Sequence, residues 1–153
     1  MRATLVCVGR LSREYQSVWR HYEDLLRPYL GIEVLEAPES PLSLGAEQVR
    51  TREGTALLGL LRPGAFTIAV DGRGGEYSSE DWSAFLAEKK VHGQSHFQFI
   101  LGGAVGLDAR VLAVAQARWS LSTLTFPHQM ARCIVLEQLY RSLRIERGEP
   151  YHH

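Results

Sequence analysis

The sequence has few cysteines and no excess of either charge. Cys7 and Cys133 are its only cysteines, and each lies in an apolar stretch, which predicts buried free thiols. This arrangement argues against a disulfide framework and against a metal cluster built on cysteine. The 17 basic and 17 acidic side chains leave a formal net charge of zero, so nonspecific attraction to phosphate should be weak. A nucleic-acid partner would therefore be recognised by a local patch and by shape.

Long hydrophobic runs are also missing. The apolar stretch near the start is interrupted at Gly9 and Arg10, too early for a signal peptide, and nothing approaches the length that spans a membrane. We therefore expect a cytosolic protein with no membrane partner. The chain has 153 residues and is 45% hydrophobic, which is enough for one core and predicts a single domain over residues 1–153.

Strand-like and helix-like segments alternate along the chain. Short apolar runs predict strands at residues 3–8, 32–37, 66–70, 96–101 and 119–122. Helical spacing of apolar residues, with capping and stop signals, predicts helices at 12–27, 46–61 and 78–90, a short one capped by Asp108, and a long one from about His128. This alternation predicts an α/β domain with a mostly parallel sheet that helices cover on both faces.

In such a sheet, ligands bind beyond the carboxyl ends of the strands. That rule selects the loops that follow Val70, Leu101 and Ser122. The second of them begins with the Gly102–Gly103 pair, which would let a ligand approach main-chain N–H groups. The dinucleotide fingerprint G-x-G-x-x-G is not met, because Leu101 stands where it needs glycine. A tight turn without a ligand explains the glycines equally well.

The loop LSTLTFP, residues 121–127, is rich in hydroxyl groups and precedes the long helix, whose start Pro127 fixes. Its main chain belongs to no predicted element, so its N–H and C=O groups are free to bind a planar heterocycle. A solvated loop before a proline helix start is the commoner explanation of such a segment. Its occurrence together with the glycine loop and an unusual C-terminal tail favours a binding site.

The segment from Phe99 to His153 resembles the RlmH family, SPOUT-class methyltransferases that modify N3 of a pseudouridine in large-subunit ribosomal RNA. The resemblance is most specific in LSxLTxPH, EQLYR and the terminal PYH, and VGR and FTIAVDG extend it to the N-terminal half. Family members usually have a polar or acidic residue in the turn where this chain has Ala104 and Val105.

The resemblance implies a homodimer that acts on 23S ribosomal RNA in assembled ribosomes, with no DNA partner. It also implies a C-terminal trefoil knot, whereas ordinary topology rules would predict an unknotted sheet. The implied cofactor is S-adenosylmethionine. Its implied binding residues are Val70, Gly102, Leu121, Ser122, Thr123, Leu124, Thr125 and Phe126.

Methyl transfer to an imide nitrogen requires alignment of donor and acceptor and removal of a proton. Candidates for these tasks lie at the start of the long helix and in the tail: His128, Arg132, Tyr151 and His152. An imidazole changes charge near neutral pH, which suits a general base, but at a helix start it more often forms local hydrogen bonds. Arg132 could balance a developing anion or bind phosphate, or it could form a surface salt bridge.

Arg141, Arg144 and Arg147 recur at every third position of the last helix and lead into the tail. Such a basic stripe could bind RNA, with Tyr151 stacking on an unpaired base, although arginine stripes are more often solvated faces. His92 and His96 lack the pattern of a zinc site, so we expect no metal. A nucleotide-binding oxidoreductase and a non-catalytic RNA- or protein-binding module stay open as alternatives to the methyltransferase.

Overall fold

A computed structural model of the protein describes residues 1–151. His152 and His153, of which the first is a predicted catalytic residue, lie outside the described residues. The strands are β1 (Arg2–Val8), β2 (Gly31–Ala37), β3 (Phe66–Glu76), β4 (His96–Leu101) and β5 (Ala117–Ser120). The α-helices are α1 (Arg13–Leu26), α2 (Ala46–Leu60), α3 (Ser79–Val91), α4 (Ala109–Val114) and α5 (His128–Glu146), and a short 3-10 helix spans Leu42–Leu44.

The five strands form one sheet in the order β2-β1-β4-β3-β5. Every pair of neighbouring strands is parallel, which confirms the predicted α/β fold. All five carboxyl ends therefore meet at one edge of the sheet. The trefoil knot stays a prediction, because strand order and pairing do not define how the chain is threaded.

The apolar residues of the sheet divide between two cores because successive side chains of a strand point to opposite faces. Leu5 and Cys7 of β1 pack on the face that α1, α3 and α5 cover, whereas Val6 and Val8 pack on the face of α2 and α4. In the larger core the rings of Trp82 and Trp119 stack with centroids 3.9 Å apart.

Both cysteines are free and buried in this larger core, as the sequence predicts. Burial raises the pKa of the Cys7 thiol to about 12. Burial also raises the pKa of Cys133. Neither thiol is therefore a ready nucleophile near neutral pH. Within residues 1–151 no helix has the length and apolar character needed to cross a bilayer.

The predicted helix caps are present. The Ser78 hydroxyl accepts a hydrogen bond of 3.0 Å from the Asp81 amide, and the Asp108 carboxylate accepts one of 2.7 Å from the Arg110 amide. Each cap satisfies an amide that the first turn of the helix leaves without a partner. Pro127 precedes the first residue of α5, as predicted.

The structure corrects two strand predictions. β3 continues to Glu76 through a segment predicted as a loop, with a shift in its pairing between Val70 and Gly75. Gly74 permits this path, because a Cβ there would lie 2.6 Å from the carbonyl carbon of Arg118. β5 spans Ala117–Ser120 and ends before residues 121 and 122, which were predicted to belong to it. Those two residues join the loop that follows β5.

We predict that Trp119→Ala lowers the free energy of unfolding by about 3–5 kcal/mol, because it empties a large volume beside Trp82. Urea denaturation would measure the change. Val91→Ala is the control, since Val91 is 84% exposed and its truncation should change stability by less than about 0.5 kcal/mol. A loss for Trp119→Ala no larger than that of the control would contradict the prediction.

Candidate functional site

A cavity of about 540 Å³ lies at the carboxyl edge of the sheet, beyond β3, β4 and β5. Its volume is within the usual range for a small-molecule site. The three loops selected from the sequence meet there. All eight residues predicted to bind the cofactor line it: Val70, Gly102, Leu121, Ser122, Thr123, Leu124, Thr125 and Phe126.

The glycine turn after β4 forms one wall of the cavity. A Cβ on Gly102 would lie 2.9 Å from the carbonyl carbon of Gly106, which is closer than side-chain carbons tolerate. The Gly106 amide donates a hydrogen bond of 3.2 Å to the Gly103 carbonyl, and Gly106 has a φ of 80°, a conformation that favours glycine. The glycines are therefore needed to fold the turn back on itself and to expose its main chain to the cavity.

The loop after β5 forms the opposite wall and is stabilised mainly by its own serines. The Ser120 hydroxyl donates to the Ser122 carbonyl at 3.0 Å, and the Leu124 amide donates to the Ser122 hydroxyl at 3.0 Å. Within residues 1–151, the main-chain groups of Thr123 and Thr125 bond to no other main-chain group. This wall can therefore bind the edge of a heterocycle through its peptide groups, with Leu121, Leu124 and Phe126 as apolar surroundings.

His128 lies at the end of the cavity, as the first residue of α5. Its Nε2 is buried without a hydrogen-bond partner in the described part of the chain, and it is 3.6 Å from Oε1 of Glu39. The structure thus places His128 beside the predicted cofactor residues.

Glu53, a buried acid behind the glycine turn, was not predicted from the sequence. It is 4% exposed, and its Oε2 accepts a hydrogen bond of 3.1 Å from the Ser40 amide. Its Oε1 has no partner among the described residues and would lie 3.1 Å from a Cβ on Gly103. Burial raises the pKa of the Glu53 carboxyl, and the nearby Glu39 carboxylate adds to the effect.

The sequence has one signal that could have identified the buried region around Glu53. Gly54 follows Glu53 in the interior of α2, where glycine costs about 1 kcal/mol relative to alanine. A Cβ on Gly54 would lie 2.6 Å from the Cβ of Asp108, so the glycine allows α2 to approach the start of α4. An interior helix glycine beside an acid therefore marks close packing behind the site.

Arg132 does not line the cavity. Its side chain is 2% exposed, and its guanidinium donates to the carbonyls of Val8 at 2.7 Å and Gly9 at 2.5 Å and to the Glu36 carboxylate at 3.0 Å. Arg132 therefore forms an ion pair with Glu36, but from a buried side chain and not at the surface, and its predicted role towards phosphate or a developing anion stays a prediction. Arg132 also joins α5 to the end of β1 by satisfying carbonyls that β1 leaves without partners.

Tyr151 packs on the far part of α5. Its hydroxyl donates to Glu137 at 2.7 Å, and the guanidinium carbon of Arg141 lies 3.9 Å from its ring centroid. Burial is the main cause that raises the pKa of Tyr151, and the hydrogen bond to Glu137 raises it further. At 1.5 Å per residue, Glu137 is about 14 Å along the helix from His128. The described part of the tail therefore does not meet the cavity of its own chain.

The predicted arginine stripe exists, but its members already have partners. Arg141 donates twice to Glu137. Arg144 bonds the Tyr29 hydroxyl at 3.1 Å, the Glu149 carboxylate at 2.8 Å and the Pro150 carbonyl, and Arg147 lies over the Tyr29 ring at 4.6 Å. These contacts hold the residues after α5 against α5 and against Tyr29, which follows α1. Within residues 1–151, no group of three or more potential metal ligands is present.

The family model described as "Predicted SPOUT methyltransferase" matches residues 1–152. The protein named Ribosomal RNA large subunit methyltransferase H from Pelotomaculum thermopropionicum is 46% identical over 98% of this chain and 98% of that protein. The protein of the same name from Symbiobacterium thermophilum is 44% identical over 99% of each chain.

Two solved structures have a similar fold. A probable methyltransferase from Bordetella pertussis superposes with a TM-score of 0.57 at 14% identity, over 93% of this chain and 92% of that chain. A probable methylase family protein from Haemophilus influenzae gives a TM-score of 0.54 at 15% identity, over 99% of this chain and 70% of that chain. At such low identity these likenesses concern the fold alone.

We predict that Arg132→Met lowers the free energy of unfolding by about 2–4 kcal/mol, because the Val8 and Gly9 carbonyls lose a buried donor. Urea denaturation would measure this loss. The folded fraction should keep its ligand affinity in the cavity, since Arg132 does not contact it. Unchanged stability together with lost ligand binding would contradict the structural role.

Proposed function

We propose that the protein methylates N3 of a pseudouridine in 23S ribosomal RNA. It belongs to the SPOUT methyltransferase family and, within that family, to the ribosomal RNA large subunit methyltransferase H proteins. Its substrate is the assembled ribosome and its methyl donor is S-adenosylmethionine. One observation supports this most strongly. The eight residues that match the family's cofactor motif converge on one cavity.

The residues of the cavity fit the proposed donor. The peptide groups of Thr123 and Thr125 are available to a heterocycle, and the turn from Gly102 to Gly106 leaves no room for a side chain where it folds back. The donor supplies a sulfonium methyl group, which is already a good electrophile. The chain's own residues therefore have to bind the donor, exclude water, orient the acceptor base and accept its proton.

His128 is the proposed proton acceptor on the cavity side, because its Nε2 is buried, without a hydrogen-bond partner in the described chain, and 3.6 Å from Glu39. Glu53 would support it from behind the glycine turn. Arg132 is a positioning residue in this proposal. It holds the start of α5, and with it His128, against the end of β1.

Tyr151 and His152 are the proposed catalytic residues of the tail, and they would act in the second copy of a homodimer. The support is geometric, since Tyr151 lies against Glu137, about 14 Å along α5 from the cavity of its own chain. A tail that takes part in the reaction therefore needs a cavity other than its own. Arg141, Arg144 and Arg147 would orient that tail and add positive charge beside the RNA.

We predict that the protein binds S-adenosylmethionine but not NAD in equilibrium dialysis, which separates a methyltransferase from an oxidoreductase. Gly102→Ala should weaken donor binding at least tenfold, because the added Cβ would lie 2.9 Å from the carbonyl carbon of Gly106. Gly59→Ala is the matched control, since a Cβ on Gly59 meets nothing within 4 Å. Binding of NAD, or equal donor affinity in the two variants, would contradict the proposed site.

We predict that deletion of residues 151–153 leaves donor affinity within about twofold and lowers methyl transfer to ribosomes at least a hundredfold, because the cavity of the second copy loses the catalytic residues of the tail. The assay uses labelled donor and ribosomes that lack the methyl group. Ribosomes that lack the pseudouridine are the negative control. A non-catalytic module would leave all ribosomes unlabelled.

Mixed dimers test whether the tail acts in the second copy. Gly102→Ala chains bind the donor poorly and truncated chains lack the catalytic tail. Their mixture should be more active than either variant alone, because one intact cavity then meets one intact tail. No recovery in heterodimers of verified composition would show that each tail serves only its own chain.

A further inference from the structure

The arginines that the sequence marks for RNA binding already have partners within the chain, so part of the charge that holds RNA should come from a second source. Arg141, Arg144 and Arg147 bond or stack with Glu137 of α5, Glu149 of the tail and Tyr29 before β2. The formal net charge of the whole chain is zero, which leaves no general attraction to phosphate. Basic side chains that lie close to the cavity and have few partners within the protein could supply this charge.

A second groove, of about 490 Å³, adjoins the cavity on the side of α2 and α4. The two share Asp71, Gly106 and Leu107, so the glycine turn is a common wall. The charged residues that line the groove are Arg50, Asp71 and Arg73. Two guanidinium groups and one carboxylate leave the groove with a net positive charge directly beside the proposed active site.

We propose that Arg50 and Arg73 bind backbone phosphate of the RNA next to the nucleotide whose base enters the cavity. This inference rests on the proposed function. A base that reaches the cavity leaves its flanking phosphates outside, near the shared wall. Guanidinium groups bind phosphate through two N–H donors at once, and contacts to phosphate fix the register of a nucleic acid on a protein.

The two arginines differ in their exposure and in their partners. The Arg73 side chain is 74% exposed, and its Nε lies 3.5 Å from the Asp71 carboxylate, too far for a strong hydrogen bond. Arg50 donates through one nitrogen to the Val105 carbonyl at 3.1 Å, which ties its position to the glycine turn. Arg50 is therefore held by the glycine turn, whereas Arg73 is exposed and only weakly paired, and both line the same groove.

The nearby Arg110 is excluded from this pair. Its guanidinium bonds the Asp108 carboxylate, the Thr51 carbonyl and the Thr55 hydroxyl, which leaves it engaged between α2 and α4. The phosphate groove is accordingly defined by Arg50 and Arg73 alone.

Arg73→Gln tests the proposal, because the side chain is too exposed for its loss to unfold the chain. The kinetics of methyl transfer to unmethylated ribosomes would be measured at several salt concentrations. We expect the KM for ribosomes to rise roughly threefold to tenfold with kcat unchanged, and the slope of log KM against log salt to fall by about one. Arg73→Lys should recover most of the affinity, because it keeps the charge.

Arg27→Gln is the matched control. Arg27 is 73% exposed and pairs with Asp24 at 2.8 Å. It lies between the end of α1 and the start of β2, so it is at the amino edge of the sheet, away from the cavity at the carboxyl edge. Donor affinity, measured by dialysis without ribosomes, should be the same in the wild type and in both glutamine variants. Equal KM values for Arg73→Gln and Arg27→Gln, or a fall in kcat alone, would overturn the phosphate groove.

The same experiment separates this inference from the proposed function. A wild-type protein that labels no ribosomes would refute the methyltransferase proposal, and the groove with it. A wild-type protein that methylates ribosomes, with Arg73→Gln indistinguishable from Arg27→Gln, would refute the groove alone.

Discussion

Parallel pairing of all five strands is the constraint on which the rest of the molecule depends. It places the carboxyl ends of the strands at one edge, so the part of β3 from Val70 to Gly72 meets the loops after β4 and β5 although they are far apart in the chain. Because both faces of the sheet are covered by helices, the central strands are mainly apolar on both sides. Buried polar residues of these strands, such as Thr67 and Gln98, bond each other, and the polar groups that line the cavity lie at that edge.

The carboxyl edge is held together by buried polar groups as well as by apolar packing. Arg132 satisfies the carbonyls at the end of β1, and Glu53 bonds the Ser40 amide behind the glycine turn. Their positions follow from the same need, since a strand end leaves main-chain groups that must find partners when water is excluded. The cavity can then keep its own peptide groups available for a ligand.

The parts of the site that could be predicted are those encoded in local sequence. The order of strands and helices, the caps at Ser78 and Asp108, and the two binding loops all depend on neighbouring residues. Arg132 could not be located this way, because an arginine on an otherwise apolar helix can face solvent or satisfy a distant strand end. The pairing of β3 beyond Val70 was missed because glycine-rich segments are equally typical of turns.

By itself, the sequence determined the α/β class, the family and the residues that surround the proposed cofactor, since short motifs and periodic apolar residues define them. Only the tertiary structure decided which cations stay available. Arg141, Arg144 and Arg147 form a stripe in the sequence, but Glu137, Glu149 and the Tyr29 ring already serve as their partners. Arg50 and Arg73 have no common motif, and they line one groove only because α2 and β3 both border the glycine turn, to which Arg50 bonds through the Val105 carbonyl. Whether an arginine can bind phosphate depends on which residues the fold packs against its guanidinium group. The spacing of arginines along the chain does not contain that information.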